Sequence, residues 1–193
     1  VDDSSLDGSA MLHVNVSPRQ LSDAGFVERT TNALAAARVD LRQLVLEFTE
    51  ATALANNPAV NRSLNALSRL DVRLSIDDFG TGYSSLAHLR DFRASQLKLD
   101  GTFIRNVGID GADDPIVRSI VQLAHSLDMS VVAEWVQSAP QLQRLRLLGC
   151  DHAQGNHVCE PTDEAGVREF VRRATSAEPT RHSGGTGAGP LPA

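Results

Sequence analysis

Six short apolar segments of this sequence each end on a side chain that can bind a cation. The residues at these ends are Asn15, Glu47, Asp77 with Asp78, Asp100, Glu134 and Gln154. Carboxylates that are brought close together repel one another unless a cation joins them. Hard oxygen ligands of this type suit Mg²⁺ or Mn²⁺. The sequence therefore predicts a divalent-metal site wherever the fold gathers these segment ends.

The stretches between the apolar segments have helical character. Pro58 begins one helix, and Leu64 and Leu67 lie on its apolar face. A longer helix is predicted from about Pro18 to Ala37, with Ser17 as its N-cap. Strands that alternate with helices are parallel, and the C-terminal ends of parallel barrel strands meet on one face. This arrangement would bring the cation-binding side chains together.

The predicted strands are too few for a closed barrel. A closed parallel barrel of this type has eight strands. Six strands are predicted, near Leu12, Leu44, Leu74, Leu97, Val131 and His152. We therefore predict an α/β fold, a TIM-like (β/α) barrel that is incomplete at its N-terminus. It should occupy residues 11–175, after a linker or remnant loop at 1–10 and before a disordered Gly- and Pro-rich tail at 176–193.

Composition limits the classes of function. The chain has 193 residues, of which 41% are hydrophobic and 22% charged, with a formal net charge of −6. This balance is typical of one soluble globular domain. The negative charge and the lack of a Lys/Arg-rich run argue against DNA binding through phosphate neutralisation. The sequence has no apolar run of roughly 18 residues, so we expect no membrane segment in this chain and a cytoplasmic location.

A second metal site is conceivable near the C-terminal end of the domain. Cys150, His152, His157 and Cys159 offer four zinc ligands within ten residues. Structural zinc sites more often place ligand pairs on tight turns with two to four intervening residues, and buried free cysteine is common in cytosolic proteins. We therefore favour free cysteines here, and a disulfide is not expected in a reducing compartment.

Each polar strand end also has a structural interpretation. A carboxylate or Asn after a strand often caps the next helix. Lys98 could be a solvated strand end or a salt-bridge partner. The tandem acids Asp77 and Asp78 are harder to explain in this way, because an acid pair directly before Phe79-Gly80 brings no evident packing benefit.

The chain resembles the EAL domain family. The ten residues Asp77–Leu86 match the signature of that family residue for residue. Shorter matches are Val14–Ser17, Leu46–Glu50 and Leu97–Asp100, and the final strand region around Gln154 also corresponds. The resemblance spans about residues 11–174. It implies a barrel that hydrolyses cyclic di-GMP to linear pGpG in bacterial second-messenger signalling, with two Mg²⁺ or Mn²⁺ ions.

The same resemblance implies a role for each matched residue. Asn15, Glu47 and Asp77 would ligate one metal. Asp77, Asp78 and Glu134 would ligate the second. The catalytic groups would be Lys98, Asp100, Glu134 and Gln154. Lys98 would orient the attacking water or balance negative charge, with Asp100 beside it, and Gln154 would line the site from the last strand.

The resemblance also implies a structural glutamate. Glu50 would hold the loop after Asp78 by hydrogen bonds, and Gly80 and Gly82 supply the backbone freedom that such a loop needs. In the family this loop is associated with dimerisation, so a homodimer is expected through it.

Several positions depart from the family pattern. The Glu-Ala-Leu segment, with one metal-ligating Glu, would lie upstream of residue 1. Trp135 replaces a Gly, Gln137 a Glu, Gly101 an Arg and Asn156 a Tyr. We therefore expect weak or no phosphodiesterase activity from this chain alone. The alternative is a non-catalytic EAL-like module that binds cyclic di-GMP or a protein partner. EAL domains commonly belong to larger signalling proteins, some of them membrane-attached.

Overall fold

The fold is built on one parallel sheet. A computed structural model describes residues 10–80, 93–109 and 111–176. In this part of the chain six strands pair in the order of the sequence, and every pair is parallel. The strands are β1 Leu12–Asn15, β2 Leu44–Thr49, β3 Arg73–Phe79, β4 Gln96–Leu99, β5 Ser130–Ala133 and β6 His152–Ala153. The predicted incomplete barrel of six parallel strands is confirmed.

Helices follow the strands, as the alternating pattern predicts. They are α1 Pro18–Ser22, α2 Phe26–Ala37, α3 Glu50–Leu54, α4 Pro58–Arg69, α5 Gly101–Ile104, α6 Asp114–Ser126, α7 Ala139–Leu148 and α8 Glu164–Ser176, with a 3₁₀ turn at Leu41–Gln43. None of the helices in the described ranges is long and apolar enough to cross a membrane.

The single helix predicted from Pro18 to Ala37 is wrong in one respect, because it is two helices. Ser17 caps α1 as expected, through a capping box with Gln20. The chain then leaves the helix at Asp23, whose side chain accepts a hydrogen bond from the N–H of Gly25 at 2.9 Å. Asp side chains that bond nearby backbone groups in this way compete with helical hydrogen bonds.

The two faces of the sheet have different chemistry. Side chains alternate along a strand, so residues two apart share a face. In β2, Leu44, Leu46 and Phe48 belong to the hydrophobic core. Val45 and Glu47 point to the opposite face. The apolar face is covered by the helices, and the polar face is the interior of the barrel.

Helix α4 shows how the helices cover the sheet. Pro58 occupies its first turn, and Asn57 caps it by accepting from the N–H of Ala59 at 2.9 Å. Leu64 and Leu67 are fully buried, as predicted from their helical spacing.

The described residues 162–176 belong to a different compact unit from the one that contains the sheet. The described part of that unit contains helix α8. Ion pairs link neighbouring turns of this helix, for example Arg168 with Glu164 at 2.6 Å. Such i,i+4 pairs each stabilise a helix by a few tenths of a kcal/mol, about 0.2–0.5.

Candidate metal centre

The ammonium group of Lys98 lies among three carboxylates. Its Nζ is 2.7 Å from Oε1 of Glu134, 2.8 Å from Oε2 of Glu47 and 3.2 Å from Oδ1 of Asp77. Lys98, Glu47 and Glu134 are all buried. One positive charge faces three carboxyl groups, so the cluster has a net negative charge when all three are ionised.

Strand register brings these groups to one place. Glu47 of β2 pairs with Ser75 of β3, and Asp77 lies two residues further on the same face. Lys98 of β4 pairs with Val132 of β5, and Glu134 lies two residues beyond it. All four side chains are thus carried by residues within two positions of the C-terminal ends of neighbouring strands. The predicted ends at Glu47 and Asp77 are too early, because β2 and β3 each continue for two more residues. Local sequence determines which residues end the strands, and pairing across the sheet determines that their side chains meet.

The charged groups of this cluster shift one another's pKa values. Burial alone would lower the pKa of Lys98, but the hydrogen bonds and charges of Glu134 and Glu47 raise it well above the ordinary value. For the carboxyl group of Glu47 the effect of burial is opposite and raises the pKa. The hydrogen bonds from His13 and Lys98 outweigh burial, and the pKa of Glu47 is lowered. The pKa of Glu134 is raised, because burial is only partly offset by Lys98. Lys98 is therefore a permanent cation at neutral pH.

Asp77, Asp78 and Glu134 form the metal-competent part of the cluster. Each offers one oxygen, and these three oxygens lie within 4.8 Å of one another. It is the one group of three or more His, Cys, Asp or Glu residues with this property among the described residues. One cation could contact all three, and carboxylate oxygens suit Mg²⁺ or Mn²⁺.

An irregularity in β3 aims both acids of the tandem pair at this point. The pairing of β3 with β4 shifts register between Ile76 and Phe79. Asp78 lies inside this shift and has a left-handed backbone, with φ 54. A bulge redirects side chains that would otherwise alternate between faces. Burial, together with the charges of Asp77 and Asp100, raises the pKa of Asp78, as expected for a carboxyl in a crowded acidic group.

Glu47 is engaged on both carboxylate oxygens. Oε2 accepts from Lys98, and Oε1 lies 2.6 Å from Nδ1 of His13. Asn15 pairs with Glu47 across β1 and β2 and has an exposed side chain. The described geometry therefore gathers Asp77, Asp78 and Glu134 but leaves Glu47 held by two other partners.

His13 is the residue that sequence reasoning missed. The sequence does indicate its strand face, because His13 lies two residues before Asn15 and their side chains therefore share a face. The contact with Glu47 joins residues 34 apart in the chain. A single histidine in a short apolar strand gives no indication of such a partner.

Asp100 lies at the edge of the cluster, and Gln154 lines a neighbouring cavity. Asp100 caps α5, where its Oδ1 accepts from the N–H of Thr102 at 2.9 Å. The hydrogen bonds from Thr102 outweigh burial and lower the pKa of Asp100. Gln154 has an exposed side chain, and with His13 it lines a barrel cavity of about 600 Å³. Asp100 thus makes a helix-cap contact, one of the alternatives open for such residues.

Glu50 contacts the start of the loop that follows Asp78. It is buried, and its Oε2 accepts from the N–H of Gly80 at 2.9 Å. Gly80 has φ 94, a conformation that favours glycine. The remainder of the predicted dimerisation loop, including Gly82, lies in residues 81–92, outside the described residues.

The four candidate zinc ligands do not belong to the acidic cluster. Cys150 and Cys159 are free. Burial raises the pKa of the Cys150 thiol to about 12, so this thiol is a poor source of the thiolate that binds zinc. Cys159 is exposed, and its Sγ donates to the carbonyl of Glu160.

Comparison with known proteins identifies the family to which this geometry corresponds. The family model described as "EAL domain" matches residues 3–161 of the chain. The chain is 43% identical over 142 residues to the bifunctional diguanylate cyclase/cyclic di-GMP phosphodiesterase MucR of Pseudomonas aeruginosa, a match that covers 74% of this chain and 21% of that protein. The chain spans between 20% and 28% of the length of curated relatives that it matches.

Solved structures share the fold. The PaMucR phosphodiesterase in its c-di-GMP complex superposes with a TM-score of 0.75 at 39% identity, over 81% of this chain and 64% of that chain. BlrP1 of Klebsiella pneumoniae, in a manganese/cyclic di-GMP complex, gives a TM-score of 0.70 at 32% identity, over 75% of this chain and 37% of that chain. These similarities confirm both the resemblance and the barrel class predicted from the sequence.

Proposed function

The chain belongs to the EAL domain family, and from that membership we propose that it is a metal-dependent phosphodiesterase that hydrolyses cyclic di-GMP to linear pGpG. The observation that carries the proposal is the meeting of Asp77, Asp78 and Glu134 around one point, with Lys98 beside them. Relatives named as cyclic di-GMP phosphodiesterases support the substrate.

The donor set fits a divalent cation. We propose that Asp77, Asp78 and Glu134 hold one ion, and that Asn15, Glu47 and Asp77 hold a second, with Mg²⁺ or Mn²⁺ as the metal. The manganese complex of BlrP1 supports a divalent metal. When bound, such ions lower the pKa of water and offset negative charge on a phosphodiester.

Lys98 has a separate task in this proposal. Its ammonium group is paired with Glu47 and Glu134, and these contacts favour the protonated form over the neutral amine that a general base requires. It can donate hydrogen bonds to the attacking water or to a phosphate oxygen. It also balances the charges of Glu47 and Glu134. We therefore assign it to orientation and charge balance.

The remaining residues support this centre. Asp100 holds the N-terminus of α5 at the rim, and its charge acts on Asp78. Gln154 contributes an amide to the interior from the end of the last strand. Glu50 fixes the backbone at Gly80, directly after the acid pair. Asp100 and Glu50 thus act on the segment that carries Asp78.

The contacts of the Glu47 carboxylate favour a second candidate function. Both of its oxygens already have partners, His13 and Lys98. A metal that needs Glu47 must displace one of them, which weakens binding. The chain would then act as a non-catalytic module that binds cyclic di-GMP or a protein partner. The same competition is a reason to expect slow hydrolysis if the chain is an enzyme.

Assembly and location form part of the same proposal. We propose a homodimer through the loop after Asp78, on the strength of the family resemblance. We also propose a cytoplasmic location, in which the chain can be part of a larger membrane-attached signalling protein. Its net charge of −6 favours no DNA partner. Chromatography coupled to light scattering would show the mass of a dimer, whereas a monomer at high concentration would refute this assembly.

The direct test is hydrolysis of cyclic di-GMP by the purified chain with Mn²⁺ or Mg²⁺, with pGpG followed by chromatography. We expect slow formation of pGpG, abolished in Asp77→Asn. Asp40→Asn is the matched control, and it should keep full activity, because Asp40 caps the 3₁₀ turn at Leu41–Gln43 and pairs with the exposed Arg42, away from the acidic cluster. A folded chain that binds cyclic di-GMP without cleaving it would favour the binding module. Undiminished activity in Asp77→Asn would refute the proposed site.

A further inference from the structure

Trp135 follows Glu134 directly and has an unusual conformation. Its backbone φ is 58, and 65% of its surface is exposed. A large side chain in the left-handed region is strained, and such strain persists only where the surroundings impose it, often at functional sites. An indole that is held out of the core in this way is available to a ligand.

Trp135 and Gly101 fit each other. A Cβ atom added to Gly101 would lie 2.7 Å from Cγ and Cδ1 of Trp135. The indole therefore lies against the Gly101 backbone, and a side chain on residue 101 would clash with it. The two positions differ from the family pattern in opposite directions, a Trp for a Gly and a Gly for an Arg. The structure shows that the two departures are sterically coupled.

The indole borders a cavity of about 410 Å³ next to the metal centre. Its lining residues are Asp100, Gly101, Thr102, Arg105, Trp135, Gln137 and Gln141. The exposed guanidinium group of Arg105 can donate hydrogen bonds, and the exposed amide of Gln137 can both donate and accept them. The cavity joins the metal centre through Trp135, the neighbour of Glu134, and through Asp100, whose charge acts on Asp78.

We propose that this cavity is a nucleobase subsite in which Trp135 provides the stacking surface for one purine of the dinucleotide. The inference rests on the proposed function and adds a specificity-determining residue to it. Bases stack on aromatic side chains, and their polar edges need donors and acceptors around the ring. A purely apolar partner would leave the polar groups of Arg105 and Gln137 unsatisfied, so the lining favours a base.

The chain contains a single tryptophan, so its emission reports on this cavity alone. Cyclic di-GMP, titrated with Ca²⁺ present to saturate the metal site, should quench the indole fluorescence. Ribose 5-phosphate, which lacks a base, should not. Affinity measured by equilibrium dialysis should fall roughly tenfold in Trp135→Gly and less in Trp135→Phe, since phenylalanine retains an aromatic face. Glycine tolerates the backbone at this position, so the first variant should fold.

Leu147→Ala is the matched control, because Leu147 is a similarly exposed apolar residue on α7 that does not line the cavity. It should bind cyclic di-GMP as the wild type does. Hydrolysis without quenching, or an unchanged affinity in Trp135→Gly, would overturn the subsite and leave the proposed function standing. Quenching without hydrolysis would support the subsite and count against the enzyme. If neither quenching nor hydrolysis is observed, both the subsite and the proposed function are refuted.

Discussion

The Nζ of Lys98 lies 2.8 Å from Oε2 of Glu47, and both side chains are buried. The contact joins residues 51 apart in the chain, through the strand order β2-β3-β4. Buried charges are tolerated only when they are paired. Lys98 therefore has a structural role as well as a role in the proposed reaction, and the two can be separated by experiment.

Replacing Lys98 by Met should strongly destabilise the chain. The substitution leaves Glu47, Asp77 and Glu134 without their common cation. Removing one partner from a buried ion pair costs about 3–5 kcal/mol. Urea denaturation at neutral pH measures the loss, and added Mn²⁺ should restore part of it by supplying positive charge.

A matched control is the exposed pair Arg42–Asp40, in which the side chains are 72% and 43% exposed. Arg42→Met should change the free energy of unfolding by less than about 1 kcal/mol. If Lys98→Met is equally harmless, the buried cluster is not formed in solution.

Glu50 should matter through its backbone contact rather than its charge alone. Glu50→Ala removes the acceptor for the N–H of Gly80. A fully buried donor that loses its partner costs about 1–3 kcal/mol, and because Gly80 is only partly buried we expect a loss near the lower end, about 1 kcal/mol. Glu50→Gln keeps an acceptor and should lose less. Chemical denaturation of both variants tests this order, and an equal loss in the two would contradict it.

Asp151 should make the free energy of unfolding depend on pH in the acidic range. Its Oδ2 lies 2.8 Å from Nε2 of His125 and accepts from the N–H of Val131 at 2.7 Å. Burial raises the pKa of Asp151, but the hydrogen bonds from His125 and Val131 outweigh burial and lower it below 3.8. A carboxyl whose pKa is depressed by folding stabilises the protein above its unfolded pKa. That contribution is lost as the pH falls through the folded pKa.

Asp151→Asn should therefore be less stable than the wild type at neutral pH, by about 1 kcal/mol since the pair is partly exposed. The difference should shrink as the pH falls from about 5 toward about 2. Denaturation midpoints at a series of pH values measure it, and a constant difference would show that Asp151 is not in this pair.

Trp135→Gly should increase stability, in contrast to most substitutions of large residues. Glycine removes the strain of a positive φ, which costs about 1–3 kcal/mol in other residues. The indole is 65% exposed, so its removal forfeits little buried area. Thermal unfolding should show a higher midpoint. A lower midpoint would mean that packing against Gly101 outweighs the strain.

Sequence predicted the elements better than their contacts. The apolar segments that end at Asn15, Glu47 and Glu134 are strands, as predicted. They could be predicted because hydrophobic periodicity and turn residues are properties of the local sequence. The break between α1 and α2 was missed, since it depends on an Asp23 side chain that bonds its neighbour's backbone. His13 was missed because its partner Glu47 is reached only through strand pairing.

The candidate site shows the same division. The position of Asp77 and Asp78 near the C-terminal end of a strand is predictable from the sequence. The register shift that turns both toward Glu134 is not, because a bulge depends on the pairing of β3 with β4. The capping contact of Asp100 with Thr102 was one of two open interpretations, and spacing alone could not choose between them.

The most direct test of the account is Mn²⁺ binding, measured by electron paramagnetic resonance on the metal-free chain and on Asp78→Asn. Asp78 is one of three carboxylates whose oxygens lie within 4.8 Å of one another, and the account requires this group to hold an ion. It predicts saturable binding by the wild type and a loss of about tenfold or more in affinity in the variant. Equal binding by both proteins would show that the metal centre lies elsewhere.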